Sequence, residues 1–156
     1  MSTLTQEVEM LRKIPLFASI DPGKLKLLAF ASDKKIYNEG QDLFKQGDSG
    51  DAAFVIVNGT ADIIVSTDDK EVVVASVGKD EIIGEISILC EVPRTATVRA
   101  SANLEVLKVK KEHFLGLISQ VPDLGIEVMR ELASRLQKTT SELGEARQML
   151  SAAKSC

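Results

Sequence analysis

The stretch AAFVIVNGTADIIVSTDDKEVVVASVGKDE, residues 52–81, decides the fold. The run AAFVIV stops at NGT, ADIIV stops at STDDK, and EVVVASV stops at GKDE. Each run is rich in side chains that fit a pleated surface, and each stop is made of Gly, Asp, Asn, Ser or Thr. Such spacing predicts short antiparallel strands in a barrel or jelly roll. Asn58-Gly59 predicts a tight hairpin, because both residues tolerate positive φ. The pattern spreads outward to cover about residues 34–110, with ATVRA and NLEVLKV as the later runs.

Outside this region the period changes. Residues 1–32 read as short helices, LTQEVEMLRKI and DPGKLKLLAFAS, separated by a break at Pro15. Asp21 followed by Pro22 matches an N-cap with proline at the first helical position. Residues 111–150 read as a short helix, HFLGLIS, and one long helix from about Pro122 to Leu150. The fold class is therefore α+β: one domain over 1–156, a jelly-roll barrel flanked by N-terminal helices and a long C-terminal helix. In that helix Leu124, Val128, Leu132 and Leu136 step by four, the spacing of a face packed on its own barrel. Leu136, Thr139, Leu143, Ala146 and Leu150 then step by 3 and 4 alternately, the spacing of a coiled-coil seam. A homodimer through the second half is expected, the alternative being a continued intramolecular contact. Gly144 either weakens the seam or lets a second helix approach closely.

Composition excludes several functions. Of 156 residues, 44% are hydrophobic and 27% charged, a globular balance with no apolar run near the ~18 residues of a membrane span. The acid-bearing N-terminus lacks a secretory signal, and Cys90 and Cys156 have no disulfide-framework spacing, so a cytoplasmic protein with reduced thiols is expected. A net charge of −4 argues against direct DNA binding. His113 is the single histidine, too few for a jelly-roll metal site or a nucleophile–base pair. Gly78-Lys79 lacks P-loop spacing. No catalysis and no cofactor are expected.

Chemistry concentrates in GEISILCEVPRTAT, residues 84–97. Glu85 and Arg94 are either a buried structural pair or two ends of a ligand site. Gly84 frees the backbone, and EISIL makes about one helical turn whose first amides suit an anion. Arg94 can clamp two phosphate oxygens, Thr95 and Thr97 supply hydroxyls, and Ala96 supplies an amide. Glu85 suits hydroxyl donors instead. A ribose phosphate offers both partners.

The run G-E-I-S-I-L-(CEV)-P-R-T-A-T resembles the phosphate-binding cassette of cyclic nucleotide-binding domains. EGQDLFKQGDSGDAAFVIVNGTADIIV, residues 39–65, resembles that family's first barrel half, and VPDLGIEVMRELASRLQKTTSEL resembles the C-helix of its bacterial catabolite activator branch. The resemblance covers roughly residues 14–150. It implies that Glu85 accepts the ribose 2′-hydroxyl and Arg94 the equatorial phosphate oxygen. The amides of Ile86, Ser87 and Ala96 and the Thr95 side chain complete the phosphate shell. Ile63, Val65, Val74 and Val77 line the base, and Thr139 and Thr140 touch adenine, one of them across the dimer. Core packing explains the four aliphatics equally well, and a solvated or seam-filling polar pair is the alternative for the threonines.

The chain departs from the family in places. Ser87 replaces a small residue but keeps its amide. Thr95 matches the residue that favours cGMP in eukaryotic kinases and channels, whereas the paired threonines favour cAMP. The activator branch continues into a helix-turn-helix, whereas SAAKSC is too short for one. The expected function is a sensor that binds cAMP in preference to cGMP and moves its C-helix to regulate a separate, unidentified protein. A scaffold with a silent pocket and a fragment of a transcription regulator are the alternatives.

Overall fold

The computed structural model describes residues 4–14, 17–18 and 20–154; the break expected at Pro15 and the terminal Cys156 lie outside them. Two helices lead, α1 (Leu4–Arg12) and α2 (Pro22–Ala31). Asp21 caps α2 by accepting the Gly23 amide at 3.1 Å, and Pro22 opens the helix.

Eight strands follow: β1 (Ser32–Tyr37), β2 (Asp42–Phe44), β3 (Ala52–Asn58), β4 (Ala61–Thr67), β5 (Lys70–Val77), β6 (Ile82–Ile83), β7 (Thr97–Ala100) and β8 (Leu104–Lys110). They form two antiparallel four-stranded sheets, ordered β1-β8-β3-β6 and β2-β7-β4-β5. Between β6 and β7 sits a five-residue helix, α3 (Glu85–Leu89). After β8 come α4 (Lys111–Gln120) and the 33-residue α5 (Pro122–Lys154).

The run AAFVI is unbroken because β3 is covered on both faces. Ala52, Phe54 and Ile56 point between the sheets, against Ile83, Val98, Leu104 and Val106. Ala53 and Val55 point the other way, into a second core with Phe17, Leu25, Phe114 and Leu124 from the helices. Burial of both faces removes the alternation that a half-exposed strand would show.

Asn58-Gly59 does not make the expected hairpin. β3 and β4 belong to different sheets, so this turn is a corner. Gly59 has φ of 96°, and a Cβ there would lie 2.3 Å from the Asn103 carbonyl oxygen. Positive φ and close backbone approach, not strand pairing, select the glycine. The tight hairpin falls instead at Asp68-Asp69, with φ of 47° and 67°, closing the Thr67–Lys70 pair of β4 and β5. Aspartates tolerate the left-handed region through local hydrogen bonding.

On α5, Leu124 and Val128 are buried and Leu132 is partly buried, but Leu136 is 68% exposed. The intramolecular face therefore ends one turn before the step-by-four pattern does. No helix among the described residues is long and apolar enough to cross a membrane.

Candidate functional site

The Gly84 backbone starts the site. It is the N-cap of α3 at φ 85°, and a Cβ there would sit 2.7 Å from Arg94 Nη1 and 3.3 Å from the Ala52 carbonyl oxygen. Glycine is needed both for the left-handed turn and for the passage of the arginine. The N-cap has no side chain with which to satisfy the first-turn amides of α3.

The loop after α3 brings Arg94 back beneath that turn. Ser87 Oγ donates to the Val92 carbonyl at 2.6 Å, and the Val92 amide donates to the Ser87 carbonyl at 3.3 Å. This clasp folds 87–92 onto itself. A Cβ on Gly50 would meet Ser87 Oγ at 1.8 Å, so the serine occupies the space Gly50 leaves. The Arg94 amide donates to the Asp48 carbonyl at 2.7 Å, and the Gly47 amide donates to the Arg94 carbonyl at 2.9 Å. The turn before β3 thus fixes the arginine backbone.

Arg94 is 3% exposed. Nη1 donates to the Gly84 carbonyl at 2.7 Å and Nη2 to the Ala52 carbonyl at 2.6 Å, while Nε is buried without a partner. Its plane covers the Phe44 ring at 4.0 Å, a cation–π contact. Burial pulls its pKa down, offset by Asp51, Asp48 and Glu85 acting at a distance. No carboxylate pairs with it directly among the described residues. The cation is seated on neutral carbonyls and one ring.

Glu85 is also 3% exposed, and its partner is not Arg94. Arg135 of α5 donates from Nη1 to Glu85 Oε1 at 2.6 Å, and from Nη2 to the Ile82 carbonyl and Glu131 Oε1, both at 2.8 Å. Burial raises the Glu85 carboxyl above its ordinary range against the pull of Arg135. The two charges nine positions apart therefore line one cavity without neutralising each other.

That cavity, about 100 Å³, is lined by Phe44, Ile63, Ile83, Gly84, Glu85, Ile86, Ser87, Arg94, Thr95, Ala96, Val98 and Arg135. It gathers a buried cation and a carboxylate at the start of a short helix, within an apolar barrel wall. A cyclic nucleotide-binding domain model matches residues 34–121, from β1 to the end of α4, with the cavity-forming cassette inside it. The chain belongs to the cyclic nucleotide-binding domain family.

The domain is similar to several known proteins. It is 30% identical over 130 residues to the cyclic AMP receptor protein of Thermus thermophilus, covering 83% of this chain and 60% of that protein. It is 30% identical over 115 residues to the cAMP-dependent protein kinase regulatory subunit of Blastocladiella emersonii, covering 73% of this chain and 28% of that one. The domain thus spans less than two-thirds of either relative. In shape it matches the sensor domain of the transcriptional regulator DNR from Pseudomonas aeruginosa with TM-score 0.79 and 20% identity, covering 91% of this chain and 96% of that one.

Of the residues read from the sequence, Gly84, Glu85, Ile86, Ser87, Arg94, Thr95, Ala96 and Ile63 meet at the cavity of the domain. Thr95 is exposed at its rim. The others stand outside it. Thr97 is buried and its hydroxyl accepts the Gln46 amide at 2.9 Å. Val77 packs into the core between the sheets, Val65 is half-buried, and Val74 is exposed on the edge strand β5. Thr139 and Thr140 are exposed on α5.

Arg135 and Phe44 were not singled out. A signal for Arg135 existed: Leu124, Val128, Glu131 and Arg135 follow a three-to-four spacing, so the arginine continues the barrel-facing stripe of α5. Phe44 sits in the three-residue β2, too short for any periodicity to announce it.

Proposed function

We propose that this chain is a non-catalytic cytoplasmic receptor for a cyclic nucleotide, cAMP in preference to cGMP, which moves α5 to regulate a separate protein. The buried Arg94 guanidinium carries the reading. A cation held by carbonyls and a ring, with an unpartnered Nε, favours an incoming anion, and a phosphate accepts charge-assisted bonds from such a group. The amides of Ile86, Ser87 and Ala96 and the Thr95 hydroxyl, all from residues lining the same cavity, would extend that shell. Glu85, in the same cavity, suits the ribose 2′-hydroxyl.

The preference for cAMP rests on the Thermus and Blastocladiella relatives, whose names state that nucleotide. Thr139 lies one turn beyond Arg135, so closure of α5, or a partner's α5, would bring a hydroxyl to the base. Ile63 would form the base's apolar wall. A dimer through α5 is supported by Met129, Leu136, Leu143 and Leu150. These residues are seven apart and 64%, 68%, 53% and 60% exposed, an apolar stripe that a second helix would cover.

One observation favours a scaffold with a silent pocket: Arg135 already holds the carboxylate that the ribose would use. Calorimetric titration with cAMP and cGMP separates the two readings. The receptor binds cAMP more tightly than cGMP, and Arg94→Ala weakens the binding about 10- to 150-fold, the worth of one charged hydrogen bond. Absence of heat with both nucleotides would establish the scaffold, and unchanged affinity in the variant would remove Arg94 from the site.

A further inference from the structure

Arg135 has one guanidinium and two carboxylate partners. Glu85 reaches it from α3 at 2.6 Å, and Glu131 reaches it from one turn earlier on α5 at 2.8 Å. The Arg135 and Glu131 side chains are 34% and 32% exposed, so this is not a fully solvated surface pair. A third carboxylate, Glu81, stands before β6 and acts on Glu131 through space. It is itself tethered by accepting the Gly78 amide at 2.6 Å.

The groups facing Glu85 are Arg135 and Glu131 from α5, its own backbone amide, and Arg94 across the cavity. Those facing Glu131 are Arg135 and Glu81. Burial raises both carboxyls, and Glu131 raises Glu85 further. Pairing with one carboxylate would leave a half-buried guanidinium stranded whenever a ligand hydroxyl drew Glu85 away. A second carboxylate on the same helix removes that cost, because the arginine keeps a charged partner and the Ile82 carbonyl.

We infer that Glu131 is a positioning residue of the ligand site: it shares Arg135 with Glu85, so that Glu85 can turn to a ribose hydroxyl while α5 stays bonded to the barrel. This rests on the receptor reading above. Replacing Glu131 by Gln keeps the length and one acceptor but removes the charge. Arg135 then pairs undividedly with Glu85, and a like charge disappears from its surroundings.

The test follows Glu85 itself, by carbon-13 NMR of its side-chain carboxyl in the ligand-free protein across pH, with circular dichroism confirming the fold. In Glu131→Gln the Glu85 midpoint falls. At neutral pH cAMP binding weakens by about tenfold, the lower end of one charged hydrogen bond. The acid limb of the affinity profile moves to lower pH with the midpoint. Glu131→Ala shifts both in the same direction. A midpoint that stays or rises overturns the sharing, whatever the wild type binds. A fallen midpoint in a protein that binds neither nucleotide overturns the receptor reading and leaves the shared guanidinium standing.

Discussion

Gly84 carries two constraints at one Cα: a left-handed backbone and an arginine passing 2.7 Å from where a Cβ would be. Gly84→Ala is expected to cost about 1–2 kcal/mol for the backbone alone. It should also displace Arg94 from its carbonyl seats, so urea denaturation and nucleotide titration should both register it. That Glu85 and Arg94 meet at one cavity was legible in the sequence, because a cassette of small residues around two charges has few uses. The relation between them was not legible. Which charge opposes Glu85 depends on Arg135, fifty positions later. Thr97 does not line the cavity, and nothing local in the sequence shows that its hydroxyl accepts the Gln46 amide.

Among the elements, α5 divides most clearly. Leu124 is 1% exposed in the helical core, so Leu124→Ala should lose about 2–5 kcal/mol in chemical denaturation. Leu143 is 53% exposed, and Leu143→Asp should leave the stability of a single chain within about 0.5 kcal/mol. The same change should abolish self-association in sedimentation experiments; a wild type that sediments as a monomer would remove the dimer. The strands were legible from their runs and stops, since turn residues punctuate even where burial erases alternation. Their pairing was less so. Asn-Gly and Asp-Asp both satisfy a tight turn locally, and only the stacking of the two sheets decides which one joins neighbours.

At the scale of the whole molecule, the raised carboxyls of Glu85 and Glu131 link folding to pH. A folded-state pKa above the unfolded value adds stability that is fully present below the unfolded value of about 4.5 and is lost as pH rises through the folded one. The wild-type stability minus that of Glu85→Gln should therefore shrink from acid to neutral pH. Urea midpoints at a series of pH values measure this, and a difference that grows with pH would contradict the burial cost. Fold class was legible at this scale because helix–barrel–helix follows from where the period changes. The clustering of like charges around one arginine was not, since it needs three elements in register.

From Leu136 to Ala153 every residue of α5 is exposed, so beyond Arg135 the helix is a rod anchored at one end. At about 1.5 Å per residue the free arm is roughly 30 Å long, and a tilt of about 10° at the anchor sweeps its tip through roughly 5 Å. A hydrogen-bond rearrangement too small to alter the barrel would thereby be magnified into a displacement as wide as a side chain. The gain would also run backwards: under the receptor reading proposed above, a partner gripping the far end of α5 would act on the anchor with the same mechanical advantage and so lean on Glu85.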